Sequence, residues 1–279
     1  MSITTPPAIH KILFPVDFSD RCTGAARYVE ALAGRFEAEL MLLHVVDTGA
    51  YFYPEVAQPA IEQRLEEYLA EELKYFSTRR MCVMGEPAAK IAEVVKSWNA
   101  DLVMMPTHGL GAYRRLLLGS VTAKVLHDVA CPVWTGVHSE AAPPLENIAC
   151  RNVLCAVDFQ DRSSRVLEWA AFLAKEYGAD LGIVHATPAP PATPTRFPDP
   201  DFLTYLETEA GKRIAQLQAS AGTDARIFVS GGDPAEVVSC AARQFGADIV
   251  VIGRHGGAGH LRHNAYAILR QSPCPVISI

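Results

Sequence analysis

The sequence repeats itself, and the repeat constrains the fold more than any other feature. Ile12-Leu13-Phe14-Pro15-Val16-Asp17-Phe18 returns as Val153-Leu154-Cys155-Ala156-Val157-Asp158-Phe159, shifted by 141 positions. Leu42-Leu43-His44-Val45 returns at the same shift as Ile183-Val184-His185-Ala186. Gly85-Glu86-Pro87 matches Gly232-Asp233-Pro234, and Ala100-Asp101-Leu102-Val103 matches Ala247-Asp248-Ile249-Val250, both shifted by 147. Cys131-Pro132-Val133 matches Cys274-Pro275-Val276 at a shift of 143. Five blocks in one order identify an internal duplication, and 279 residues suit two domains of ordinary size. The drift in the shift places about six extra residues in the middle of the second copy and four fewer before its last apolar segment.

Each copy alternates two periodicities. Short apolar runs near 12–16, 40–46, 79–84, 101–105 and 132–137 read as buried strands. Between them lie helical patterns, with Ala26, Val29, Leu32, Ala33 and Phe36 on one face in the first copy and Val166, Trp169, Ala170, Leu173 and Tyr177 in the second. Gly178 and Gly246, each followed by Ala-Asp and a strand, sit where a helix has just ended. The acidic segment from Glu62 to Glu72, with Leu65, Leu69 and Leu73 four apart, predicts an amphipathic surface helix. This alternation predicts an α/β chain of two tandem domains, each an open five-stranded parallel sheet with right-handed crossovers and helices on both faces. The linker falls at 139–146, dividing the chain into domains 1–140 and 147–279. The stretch 187–200, with six prolines, is expected to be a surface loop inside the second copy.

Composition excludes several classes of function. A net charge of −6 argues against non-specific binding to nucleic acid or to an anionic membrane. No run reaches the roughly 18 to 20 apolar residues of a membrane-spanning helix, and Met1–His10 lacks the pattern of a secretory signal. Seven scattered cysteines, none spaced C-x-x-C, suit a reducing cytoplasm rather than a disulfide framework or a zinc ribbon.

In open α/β sheets ligands bind beyond the carboxyl ends of the strands, where the strand order reverses. At such ends the first copy carries Asp17, His44-Val45 and Pro106-Thr107-His108-Gly109. After Gly109 come nine residues and then Gly119-Ser120, directly before a helical pattern at Val121–Asp128. Ser120 is suited to cap that helix, Gly119 allows close backbone approach, and the helix start offers amides and a dipole to an anion such as phosphate.

On these residues both halves resemble universal stress protein domains, and the whole resembles a tandem universal stress protein. The family's nucleotide signature is Gly, two residues, Gly, nine residues, Gly and Ser or Thr. Pro106-x2-Gly109-x9-Gly119-Ser120 matches it at all fixed positions but the first. The resemblance implies a strand order of 3-2-1-4-5 and an adenine nucleotide, ATP or AMP, bound with or without Mg2+. It places Asp17 and Val45 against adenine. It places Met105 and Pro106 at the adjoining strand end, and Gly109, Gly119, Ser120 and Val121 around ribose and phosphates. It also implies dimerisation through the last strands, so that the halves pair as a pseudo-dimer along Val133-Trp134 and Val276–Ile279, with a further homodimer between chains. The departure is Pro106, which has no N–H to give a ligand.

The second copy departs differently. Gly253-Arg254-His255-Gly256 keeps the first two glycines, but Arg262-His263 stands where the first copy has Gly119-Ser120, and Ala186 replaces Val45. Weak or absent ATP binding is expected there, leaving the second domain as a packing partner. His255, His260 and His263 could form an open metal site, although a merely polar loop is the stronger reading. Arg114 and Arg115 could neutralise phosphate or simply be solvated. His44 and His185 are expected to bond nearby backbone, as is Asp158, while Asp17 is balanced between a turn role and a ligand role. Cys131 and Cys274, each before a proline, read as buried packing. No Walker lysine follows the glycine loop and no nucleophile elbow is present, so a binding module is favoured over an enzyme. The alternatives are a nucleotide-free scaffold and a slow ATPase.

Overall fold

The computed structural model describes residues 7–49, 54–107, 118–136, 144–145, 148–188, 200–256, 260–261 and 263–279. The chain divides into two compact units, the first ending at Ala149 and the second beginning at Cys150. The first contains β1 (Lys11–Pro15), α1 (Asp20–Phe36), β2 (Glu39–Asp47), α2 (Pro54–Glu67), β3 (Thr78–Gly85), α3 (Pro87–Trp98), β4 (Leu102–Met105), α4 (Ser120–Asp128) and β5 (Val133–Thr135). The second contains β6 (Asn152–Ala156), α5 (Ser163–Tyr177), β7 (Asp180–Thr187), α6 (Pro200–Ala221), β8 (Arg226–Gly231), α7 (Pro234–Phe245) and β9 (Ile249–Ile252). It closes with two short strands, β10 (His255–Gly256) and β11 (His260–Leu261), then α8 (His263–Gln271) and β12 (Val276–Ser278).

Every pairing described within the two main sheets is parallel. The first runs β3-β2-β1-β4-β5, with Pro15 opposite Leu43 of β2 and Leu13 opposite Val103 of β4. The second runs β8-β7-β6-β9-β12, the same 3-2-1-4-5 order. Central strands covered on both faces must be apolar throughout, and Ile12, Leu13, Phe14, Leu102, Val103 and Met104 are fully buried. Of the helical stripe read from the first copy, Ala26, Val29, Leu32 and Ala33 are buried and Phe36 is half-buried. Gly178 and Gly246 close α5 and α7 in the left-handed conformation, at φ 63 and 65. Among the described residues no helix is long and apolar enough to cross a membrane.

Two repeated motifs are explained by local geometry. In Gly85-Glu86-Pro87 the glycine takes φ 144, open only to glycine, as the strand stops. Glu86 then caps α3 by accepting from Ala89 N at 2.7 Å, and Pro87 supplies the first helical turn, which needs no amide donor. Gly232-Asp233-Pro234 does the same with φ 146 and bonds from Ala235 N and Glu236 N. In the Ala-Asp motif the carboxylate reaches back to the start of the first strand. Asp101 Oδ2 accepts from His10 N at 2.9 Å and Lys11 N at 3.0 Å, and Asp248 Oδ2 accepts from Arg151 N and Asn152 N at 2.6 and 2.9 Å.

Three expectations are corrected. The helix expected across Glu62–Glu72 ends at Glu67, and the chain continues in turns with Leu69 left-handed at φ 55. Leu65, Leu69 and Leu73 are nonetheless all buried, because the turns carry the apolar spacing past the helix end. Only the ends of the inserted stretch 187–200 differ from the loop expected, since Thr187 still belongs to β7 and Pro200 begins α6, while 189–199 lie outside the described residues. Cys274 is buried as expected, whereas Cys131 is only half-buried. Replacing Asp101 with Ala strips two backbone amides of their acceptor and is expected to destabilise the first unit by about 1–3 kcal/mol, read as a lower urea midpoint.

Candidate functional site

The parallel register brings the expected base-facing residues to one sheet edge. Pro15 lies opposite Leu43, so two residues further on Asp17 draws level with Val45. On the other side of β1, Met105 ends β4 and Pro106 follows it. Asp17, Val45 and Pro106 are half-buried, whereas Met105 is buried within the strand end. This is also where the order reverses, since the chain leaves β1 towards β2 and β3 and returns on the far side as β4.

Asp17 is held by its own turn. Its Oδ1 accepts the Ser19 amide at 3.0 Å and faces the Cys22 thiol at 3.1 Å. Ser19 in turn caps α1 by accepting from Cys22 N at 3.4 Å. Burial, and then the Asp17 charge, push the Cys22 thiol up to about 12, so it stays a protonated donor. The next residue, Phe18, is left-handed at φ 60, a conformation a bulky side chain adopts only under constraint. The constraint is visible on its ring: His44 packs at 4.5 Å between centroids, Tyr68 meets it edge-on at 5.1 Å, and the Arg64 guanidinium lies 4.3 Å above it.

The second unit repeats this turn closely. Asp158 Oδ1 accepts from Gln160 N at 3.0 Å and from Ser163 Oγ at 3.1 Å. Phe159 is left-handed at φ 58, its ring 4.0 Å from His185 and 4.2 Å below Arg213. His44 Nδ1 lies 2.8 Å from the Val16 carbonyl, and His185 Nδ1 lies 2.8 Å from that of Val157. A carbonyl only accepts, so each ring donates through Nδ1–H. The turn therefore belongs to the fold, whatever binds beside it. Both histidines have the structural role expected of them, and Asp17 and Asp158 both bond the following turn.

The expected phosphate end of the first unit lies at the start of α4. Gly119, rather than Ser120, is the N-cap of α4, with φ −60 and ψ 145 and no side-chain bond to the first turn. The reason is that its carbonyl already accepts the first helical bond, from Ala123 N at 2.8 Å, which leaves Ser120 inside the helix. That conformation suits any residue, so the backbone does not demand glycine there. The Gly119 amide donates to the Thr107 carbonyl at 2.8 Å and the Thr122 hydroxyl to the Pro106 carbonyl at 3.2 Å, tying the two ends of the connecting segment together. Gly119 and Val121 are half-buried and Ser120 is exposed. Gly109, Arg114 and Arg115 lie outside the described residues.

In the second unit α8 starts directly at His263, an exposed residue, while Arg262 and the side chains of His255 and His260 lie outside the described set. Among the described residues no group of His, Cys, Asp and Glu is arranged to hold a metal. Arg254, the counterpart of Thr107, is fully buried, and its amide donates to the Ile279 carbonyl at 3.1 Å. Motif spacing could not reveal Cys22, whose sulfur reaches Asp17 only once α1 is formed. Its counterpart at the same spacing, Ser163, was the available signal.

Two doubly wound parallel units with polar turns at their strand ends define a class of open-sheet α/β proteins. The chain belongs to the universal stress protein family: the family model matches residues 8–135 and again 149–279. It is 34% identical over 140 residues to a universal stress protein of Methanocaldococcus jannaschii, covering 44% of this chain and 79% of that one. It is 33% identical over 130 residues to one of Thermus aquaticus, covering 44% and 94%. Among solved structures, a universal stress protein from Archaeoglobus fulgidus matches across 96% of this chain and 95% of that one, with a TM-score of 0.70 and 21% identity, a likeness of fold.

Burial lowers the pKa of both His44 and His185 below the ordinary 6.5. A histidine kept neutral when folded binds its proton more readily when unfolded. Its contribution to stability is therefore complete above about pH 6.5 and is lost as pH falls below it. The urea midpoint should drop between pH 7.5 and 5.5, and it should drop less in His44→Gln and His185→Gln than in the wild type.

Proposed function

We propose that the first unit binds an adenine nucleotide, ATP or AMP, and that the chain acts as a nucleotide-dependent sensor or signalling module in a cytoplasmic stress response. The observation that carries this reading is Gly119. It opens α4 without a capping side chain and in a conformation that does not require glycine. A glycine that the backbone does not need leaves close approach by a ligand as its use, and the uncapped amides and dipole of the helix start favour an anion. Asp17, Val45, Met105 and Pro106 share the same end of neighbouring strands, with a carboxylate acceptor and an apolar wall suited to a base bearing an amino group. Family membership supports the reading, since Gly109, Gly119 and Ser120 match the nucleotide signature of universal stress proteins, from which Pro106 departs. We place Gly109, Ser120 and Val121 around ribose and phosphates, with Mg2+ optional, and set the domains at 1–140 and 147–279. We further propose that the chain forms a homodimer and that any ATP hydrolysis is incidental, so phosphate release with Mg2+ present should stay near background.

A second reading, a nucleotide-free scaffold, is favoured by one observation. Pro106 has no amide to offer, and the Gly119 amide is already given to Thr107. Calorimetric titration of ATP and AMP into wild type and Gly119→Asp separates the two. The nucleotide reading expects one site per chain, weakened by more than roughly tenfold in Gly119→Asp, because a carboxylate then faces the phosphates. Aspartate is a favoured N-cap, so the same variant should melt no lower than wild type. Absence of heat with millimolar nucleotide would establish the scaffold.

A further inference from the structure

The two units offer an internal comparison at the residue five positions after the strand-end aspartate. In the first unit it is Cys22, whose sulfur lies 3.1 Å from Asp17 Oδ1. In the second it is Ser163, whose hydroxyl oxygen lies 3.1 Å from Asp158 Oδ1. The companion donor, an amide two residues after the aspartate, lies at 3.0 Å in both. A thiol and a hydroxyl thus occupy the same place and serve the same acceptor, although the helices begin differently, at Asp20 in one unit and at Ser163 in the other. Helix geometry alone does not account for the coincidence. What the two positions share is one hydrogen aimed at one carboxylate oxygen.

The sulfur has little else to do with that hydrogen. Cys22 is 1% exposed, and its next acceptor, the Pro15 carbonyl, lies at 4.0 Å. An amide from Ser19 and a thiol from the first turn of α1 approach Oδ1 together, which fixes the rotation of the carboxylate about its Cβ–Cγ bond. Removing the thiol withdraws one of the two donors that meet at Oδ1 and loosens the orientation they set.

We infer that Cys22 is a positioning residue for base recognition: its thiol, together with the Ser19 amide, orients the Asp17 carboxylate so that it accepts a hydrogen from an adenine amino group and disfavours a 6-oxo purine. The inference rests on the nucleotide reading of the first unit. The edge chemistry is simple. The exocyclic amine of adenine donates, while hypoxanthine presents a carbonyl oxygen at the same place, which a carboxylate repels. An oriented carboxylate therefore separates ATP from ITP, and a rotating one separates them less.

The test is calorimetric titration of ATP and of ITP into the full chain as wild type, Cys22→Ala and Cys22→Ser. Should the small cavity in Cys22→Ala unfold the unit, Cys22→Val removes the donor while keeping the space filled. Wild type should prefer ATP. The donor-less variant should lose roughly five- to tenfold in ATP affinity with little change for ITP, narrowing the preference by that factor. Cys22→Ser, carrying the second unit's own donor, should restore it. A purely structural role would lower both affinities together, and an equal loss for the two nucleotides overturns the inference. So does an unchanged ATP-to-ITP ratio in the donor-less variant, with nucleotide binding itself intact. Wild type that binds neither nucleotide overturns the nucleotide reading and this inference with it.

Discussion

One oxygen of the Asp17 carboxylate accepts the amide of the residue that caps α1 and meets a thiol from the first turn of that helix, at 3.0 and 3.1 Å. The exit from the central strand takes its shape from these contacts. A strand buried on both faces can present polar groups only where it ends, and the chain must turn there without stranding its amides. The Asp17 turn does both, and it forces Phe18 into a left-handed conformation that three neighbouring side chains hold in place. Asp158 and Phe159 reproduce the contacts with the turn, the histidine and the arginine to within about half an ångström. Such agreement across two diverged copies is what a folding constraint produces.

The duplication also shows which features the fold uses in both units. The strand-end turns, the histidines bonded to backbone, the glycine–acid–proline entries to α3 and α7, and the aspartates that clasp the first strands recur in both units. At the beginning of the last helix the residue types do not recur, although the two helices start at matching positions, Ser120 and His263. An uncapped glycine precedes the first, while Arg262, its counterpart in the sequence, lies outside the described residues. The change of residue type, beside turns that recur, falls at the starts of α4 and α8.

Much of this was legible in the sequence because it rests on periodicity and on residues with narrow backbone preferences. Strands with apolar runs, helices with stripes three and four apart, and glycines followed by Ala-Asp lie where those patterns place them, although β3, expected to be buried, has no buried residue. Leu65, Leu69 and Leu73 show the limit: burial follows spacing whether the backbone is helical or turning, so the spacing alone extended α2 too far. Ser120 shows another, since capping propensity names a residue type while the first helical bond decides the position, and that bond ends at Gly119. The aspartates at 101 and 248 were visible as a repeat but not as clasps, because their partners lie 90 or more residues away in the chain. The thiol on Asp17 was hidden for a related reason: only the folded first turn brings it there.

The dihedral angles of Gly119 bear on how a duplicated domain can drift. At φ −60 and ψ 145 the backbone is open to any residue type, so main-chain conformation exerts no selection for glycine at this site. After duplication, the backbone angle placed no barrier on exchanging this glycine in one copy. Arg262 now stands at the matching place in the second copy. A position whose main-chain angles are ordinary lets paralogous halves part company there in a single substitution.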